Sequence, residues 1–178
     1  MTDTMPLSQF LSTPAVSEIA AKGRRSASRP GTPAPAVLGV LPVGAAEFSA
    51  VRGRIPDGYL SRELRGRKMR TVVEVFDEFA AAFQFPYYFG ENKDAFDECL
   101  RDLDEFVGPA QGYVAVVRNA ALLLDEESEE RAWFAEAMAD CAEFWSGRGI
   151  PFRVVLQDAA PPGVRTVSLA LDPESGRA

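Results

Sequence analysis

Apolar residues along the middle of the chain follow two rhythms. Residues 59–64 read as a strand, residues 113–118 are an apolar, β-branched run that reads as a buried strand, and residues 152–157 read as the last strand. Between them, apolar residues return every three or four positions. Thr71-Val-Val-Glu74 fits a capping box, in which the threonine hydroxyl and the glutamate carboxylate satisfy free amides at a helix start. Val72, Phe76, Phe79, Ala80 and Phe83 follow on one face. Pro86 and Gly90 then punctuate the chain before a second helix over residues 92–106. A third, over residues 128–146, carries Phe134, Ala137, Met138, Cys141 and Trp145 on one side and ends at Gly147 and Gly149. Residues 37–41 form another short apolar run. Residues 45–54 fit a short helix closed by Pro56, Asp57 and Gly58. Strands separated by helices pair in parallel through crossovers, so the pattern predicts an α/β domain over residues 36–158. Its expected core is a three-stranded parallel sheet packed with helices.

The flanks read differently. Residues 1–35 are rich in Ser, Pro, Ala and Thr and predict a disordered, flexible leader with one transient helix near residues 7–11. Its basic cluster, Lys22, Arg24 and Arg25, fits a solvated linker better than a contact surface. Residues 159–178 predict a loose tail. No apolar run reaches the ~18 residues of a membrane span, and the first ten residues lack a signal-peptide pattern, so a cytoplasmic protein is expected. No internal repeat is present.

Composition then removes whole classes of chemistry. The 178 residues include no histidine, which excludes imidazole bases, Ser-His-Asp and Cys-His arrangements, and metal sites that need imidazole. Cys99 and Cys141 both fall on apolar helix faces and lack CxxC partners, so they read as reduced core residues. Net charge is −7. Such a chain repels nucleic-acid phosphates and attracts basic surfaces.

The acidity is concentrated. Residues 91–105 contain seven acids and two bases, a net of −5. Asn92 is a suitable N-cap, and Phe96, Cys99, Leu100, Leu103 and Val107 share the apolar face. The opposite face holds Asp94, Asp97, Glu98, Asp102 and Glu105, interrupted by Arg101. Like charges at i, i+4, such as Asp94 with Glu98, each cost a few tenths of a kcal/mol in a helix. Many acidic helices are simply solvated, Asp94 suits the positive end of the helix dipole, and Arg101 is placed to pair with Asp97 or Glu105. The aromatics just upstream shift the balance. Tyr87, Tyr88 and Phe89 are consecutive in a turn and cannot all point inward, so at least one ring stands beside the acids. Aromatic anchors next to carboxylates form a typical binding hot spot.

Pro86, Tyr87-Tyr88-Phe89, Gly90, Asn92, Asp94-Ala95 and Glu98-Cys99-Leu100 together resemble the barstar family, intracellular inhibitors of a secreted ribonuclease. The resemblance runs from about residue 59 to residue 157 and includes the closing GIPFRVVLQ. It implies a barstar-like fold that inhibits by occlusion, its carboxylates replacing RNA phosphates in the enzyme's groove. By position, Tyr88 lies against the catalytic rim, Asn92 and Asp94 bond at the groove edge, and Glu98 fills the central anionic site. Tyr87, Lys93, Asp97 and Asp102 complete the expected contact set. Two positions depart from the family. Its central acid is usually Asp, one methylene shorter than Glu98. Its second acidic contact, on the last helix, falls near Phe144, and the adjacent Glu143 points about 100° away.

The expectation is therefore a non-enzymatic protein with no cofactor and no metal, monomeric when free. It binds a basic extracellular-type ribonuclease or another cationic protein, and neither nucleic acid nor membrane. The alternative kept open is an interaction module whose basic partner is not a ribonuclease. A carboxylate hydrolase built on Asp94 and Glu98 is disfavoured, because two acids on a convex helix lack a water-excluding cleft.

Overall fold

The computed structural model describes residues 4–12 and 36–173. Six parallel strands form one sheet: β1 (Thr4–Pro6), β2 (Leu38–Leu41), β3 (Tyr59–Arg65), β4 (Gly112–Arg118), β5 (Phe152–Gln157) and β6 (Val167–Ala170). Their spatial order is β1-β6-β2-β5-β4-β3, and every neighbouring pair is parallel. The helices are α1 (Leu7–Ser12), α2 (Ala45–Phe48), α3 (Val72–Phe83), α4 (Lys93–Arg101), α5 (Leu103–Phe106) and α6 (Arg131–Ser146).

The central strands explain the layering. Every residue of β5, and all but the last of β4, is buried. A parallel sheet with near-continuous apolar strands needs cover on both faces. Alternate residues serve the two sides. Tyr113, Ala115 and Val117 join Phe79, Phe96, Phe134 and Trp145 in one core under α3–α6. Val114 and Val116 join Leu7, Phe10, Leu11, Phe48 and Val51 in a second core under α1, α2 and the 3-10 helix Ser49–Arg54.

Local signals in the first layer act as the sequence indicates. Thr71 Oγ1 accepts from the Glu74 amide at 3.3 Å, and the Glu74 carboxylate accepts from the Thr71 amide at 3.3 Å. Both halves of the capping box are thus present. Glu127 adds a bond to the next free amide, Val72, at 2.7 Å. The left-handed Gln84, at φ 56°, ends α3.

The sheet has six strands where three were expected. The three additional strands are only three or four residues long, and two lie in segments read as leader and tail. Such short strands carry almost no periodicity of their own, and nonlocal pairing supplies their stability. Residues 7–12, where a transient helix was anticipated, pack as α1 with Leu7, Phe10 and Leu11 buried. Arg153 Nε donates to Phe10 O at 3.1 Å and Tyr59 OH to Leu11 O at 3.2 Å, satisfying terminal carbonyls of that helix. Gly39 permits the close approach beneath it, since a Cβ there would lie 2.5 Å from Leu169 Cδ1. The rest of the expected leader, residues 1–3 and 13–35 with Lys22, Arg24 and Arg25, lies outside the described residues, as do residues 174–178.

Candidate docking site on an acidic helix

The turn before α4 sorts its aromatics. Phe89 points inward, 5.8 Å from the Phe76 ring and 5.2 Å from Phe85. Tyr87 is fully exposed and Tyr88 is 69% exposed, their rings edge to face at 5.5 Å. Inward packing of Phe85 and Phe89 fixes the turn from below and forces the two tyrosines out. Asn92 fixes it from above: its Oδ1 accepts from Ala95 N at 2.9 Å and its Nδ2 donates to Gly90 O at 3.2 Å. Asn92 therefore positions the turn and the first helical residues together.

Helices α4 and α6 lie side by side in register. Lys93 meets Glu130 at one end, Leu100 O accepts from Trp145 Nε1 at 2.8 Å further on, and Asp104 meets Arg148 at the other end. This packing divides the acids of α4 into two groups. Facing α6 is a row whose charged groups are paired or enclosed. Lys93 Nζ sits 2.6 Å from Glu130 and 5.0 Å from the Trp133 ring centroid. Asp104 pairs with Arg148 at 3.4 Å. Asp97 is half-buried between them. Its Oδ1 is enclosed without a hydrogen-bond partner among the described residues. Burial raises its carboxyl above the usual aspartate range; Arg101 opposes that shift, and Asp140 and Asp94 reinforce it.

The outer row is different. Asp94, Glu98, Asp102 and Glu105 are exposed, and none forms an ion pair among the described residues. Of the contact set expected from sequence, Tyr87, Tyr88, Asp94 and Glu98 thus share one open surface. Asn92 and Lys93 act inside the molecule, Asp97 sits in the seam, and Asp102 stands at a break. That break departs from the single helix expected over residues 92–106: at Asp102, φ −112° and ψ 24° end α4 and start the one-turn α5. Arg101, expected to pair with Asp97 or Glu105, makes no ion pair among the described residues and acts on Asp97 only through its field.

Two neighbours were not foreseen. Asp140 on α6 faces Asp97, and Arg148 lies 5.0 Å from the Phe144 ring and 5.4 Å from Trp145. Both depend on how α6 packs on α4 and α5, which residue spacing within one helix does not show. Cys99, beneath the outer row, is buried, and burial with help from Asp102 and Glu98 pushes its thiol up to about 11. It is a packing residue and not a nucleophile. Among the described residues no His, Cys, Asp and Glu cluster could hold a metal ion, and no helix is long and apolar enough to cross a membrane.

The fold and this surface define a class: an α/β protein that presents unpaired carboxylates on a helix and exposed aromatic rings in the turn before it. Comparison with known families agrees. The family model described as "Barstar (barnase inhibitor)" matches residues 59–157, from the first residue of β3 to the last of β5. The chain belongs to the barstar family, an inhibitor family rather than an enzymatic one. No curated protein sequence matches the chain.

Proposed function

We propose that this protein is an intracellular inhibitor of a basic ribonuclease, blocking the active site with the outer row of α4 and the turn before it. The observation that carries this reading is the pair Asp94 and Glu98. Both are exposed and unpaired one helical turn apart, beside two exposed tyrosines, while of the acids facing α6 Asp104 is paired and Asp97 is half-buried. The helix dipole favours Asp94 in the first turn, but Glu98 one turn on adds an unpaired like charge that costs stability, so a cationic partner accounts for the pair. Membership of an inhibitor family supports the same conclusion. The protein carries no catalysis of its own in this reading.

The test is inhibition of barnase and other small guanyl-preferring ribonucleases, begun at low salt because encounter is electrostatically steered. One-to-one inhibition that weakens with salt is expected, and Glu98→Arg should abolish it with the fold unchanged. Full inhibition by the Glu98→Arg chain would remove the site.

A second reading has one specific observation in its favour. Near Phe144, where the family places a second acid, Arg148 lies over the ring and puts a cation at that end of the surface. A basic partner other than a ribonuclease, with a neutral or acidic flank facing Arg148, fits that arrangement. It predicts retention of a protein partner with no inhibition of any ribonuclease tested.

A further inference from the structure

Charge is distributed unevenly in this chain. Residues 52–70 contain seven bases and two acids, a net of +5 in a protein of net −7. They run from the 3-10 helix Ser49–Arg54 through β3, the last strand of the sheet, into the 3-10 turn Gly66–Lys68. Some of these charges are engaged: Arg65 pairs with Glu78, and Arg70 with Asp125 and Glu126. Arg52, Arg67 and Lys68 are exposed and form no ion pair among the described residues.

A groove of about 230 Å³ lies between that 3-10 helix and β3. Phe48 and Val116 contribute apolar lining, Ser49 and Ser61 contribute hydroxyls, and Arg52 contributes a cation; Arg62 also borders the groove, but its Nε donates to Ala82 O of α3 at 2.9 Å, on the other face of the sheet. Arg118 lies 5.5 Å from the Phe48 ring and pairs with Glu63, another lining residue. The shape and chemistry suit an aromatic ring with a polar tip, held between apolar and guanidinium surfaces. Two such rings are unburied elsewhere in the same molecule, Tyr87 and Tyr88, directly beside the segment of net −5. The groove borders the second core and α4 the first, so the two surfaces lie on opposite faces of the sheet.

We propose that the groove and the basic β3 edge receive the acidic helix of a second copy of this chain, with Tyr87 entering between Phe48 and Arg52. Asp94 and Glu98 then meet the unpaired cations of the edge. This rests on the same reading of α4 as a docking surface. The contact is heterologous, joining two different surfaces, so it propagates head to tail and does not close on a two-fold axis. It covers the carboxylates a ribonuclease would take, which makes the associated form a reserve that a stronger cationic partner dissociates. The like net charge of the two copies keeps the contact weak and salt-sensitive, and the monomer is the dilute form.

Complementing charge reversals test this directly. Sedimentation of the full chain at about 50 mM salt, where screening lengths exceed 10 Å, should show mass rising with concentration, and salt near 0.5 M should suppress it. Glu98→Arg disables the acidic surface and Arg52→Glu the groove, so each variant alone stays monomeric. Mixed in equal amounts they keep one intact interface per pair, giving a species of twice 19.4 kDa and nothing larger. A mixture that stays monomeric, a variant that associates like the wild type, or a wild type that remains monomeric would each overturn the proposal. Ribonuclease inhibition is read separately: Arg52→Glu should retain it. An intact self-association with no inhibition would instead sink the inhibitor reading alone.

Discussion

Helices α3 and α4 lie in the same layer, bury phenylalanines against one another, and both carry acids on the sides left free by their apolar faces. The acids meet different fates. On α3, Glu74 completes the helix cap. Glu78 binds Arg65 at two points, through the guanidinium at 2.8 Å and the backbone amide at 2.9 Å. Burial pushes the Glu78 carboxyl up, yet the Arg65 bonds together outweigh it and hold the group below the usual range. Glu78 also blocks an outward amide of the edge strand β3, which limits edge-to-edge pairing. On α4, Asp94 gains only the helix dipole of the first turn, and Glu98 forms no ion pair among the described residues. The contrast separates acids that the fold uses from acids that the fold merely displays, and composition or helical periodicity alone does not make that separation.

The largest expected effect breaks the comparison on the α4 side. Glu98→Arg should lower affinity for the cationic partner by about 4 kcal/mol, roughly a thousandfold. Thermal stability should stay level or rise slightly, because the substitution relieves the like-charge pair with Asp94. Calorimetry for binding and a thermal melt for stability check both halves. A loss of stability in step with affinity would show that α4 and α3 do not differ in kind.

Next in size is the reciprocal change on α3. Glu78→Ala should cost about 2 kcal/mol of stability, since it leaves the Arg65 amide unpaired and removes a bidentate partner from a half-exposed guanidinium. Affinity for the partner should not change, because no side chain of the open surface touches Glu78. Denaturant melts read the first effect and titration of the partner the second.

Lys93→Met sits between the two. It removes the 2.6 Å pair with Glu130 and the contact over Trp133, both partly exposed, for an expected loss of about 0.5–1 kcal/mol. It also takes residues 91–105 from a net of −5 to −6. The association rate should therefore rise, by about twofold at low salt, while stability falls. Stopped-flow mixing at two salt concentrations would detect a rate that fails to rise, which would mean Glu130 already removes Lys93 from the field.

How much of this was legible follows from the range of each interaction. The capping box at Thr71 and Glu74, the cap at Asn92 and the outward tyrosines are set by neighbours in sequence, and the sequence pattern identifies them. Strands β3, β4 and β5 announce themselves through apolar or β-branched runs. Strand β2 shows only as the short apolar run over residues 37–41, and β1 and β6 do not show, because three or four residues in Pro-, Gly- and Ser-rich surroundings gain their order only from partners far along the chain. The unbroken apolar runs of β4 and β5 did contain a clue, since a sheet buried on both faces requires a second layer. In the same way, the acids of α4 could be counted in advance. Which of them remain free depends on Glu130 and Arg148, residues 37 and 44 positions away from their partners.

Asp97 is the residue the comparison sorts least cleanly, and pH sharpens it. Its enclosed Oδ1 lacks a partner among the described residues, and burial, Asp140 and Asp94 all disfavour its charge against the single opposing influence of Arg101. The folded protein thus holds the Asp97 proton to higher pH than the unfolded chain does. Across the window between the unfolded and folded values the native state binds more protons, so stability falls as pH rises and then levels off above the folded value. Asp97→Asn removes that titration. The variant should match the wild type at low pH, gain on it as pH rises through the window, and exceed it at neutral pH. Thermal melts from below the aspartate range to neutrality provide the measurement. A gap between variant and wild type that does not change with pH would place the titrating group elsewhere. A variant less stable at neutral pH would show that the charged carboxylate is held by Arg101 after all, and Asp97 would join Glu78 among the acids the fold uses.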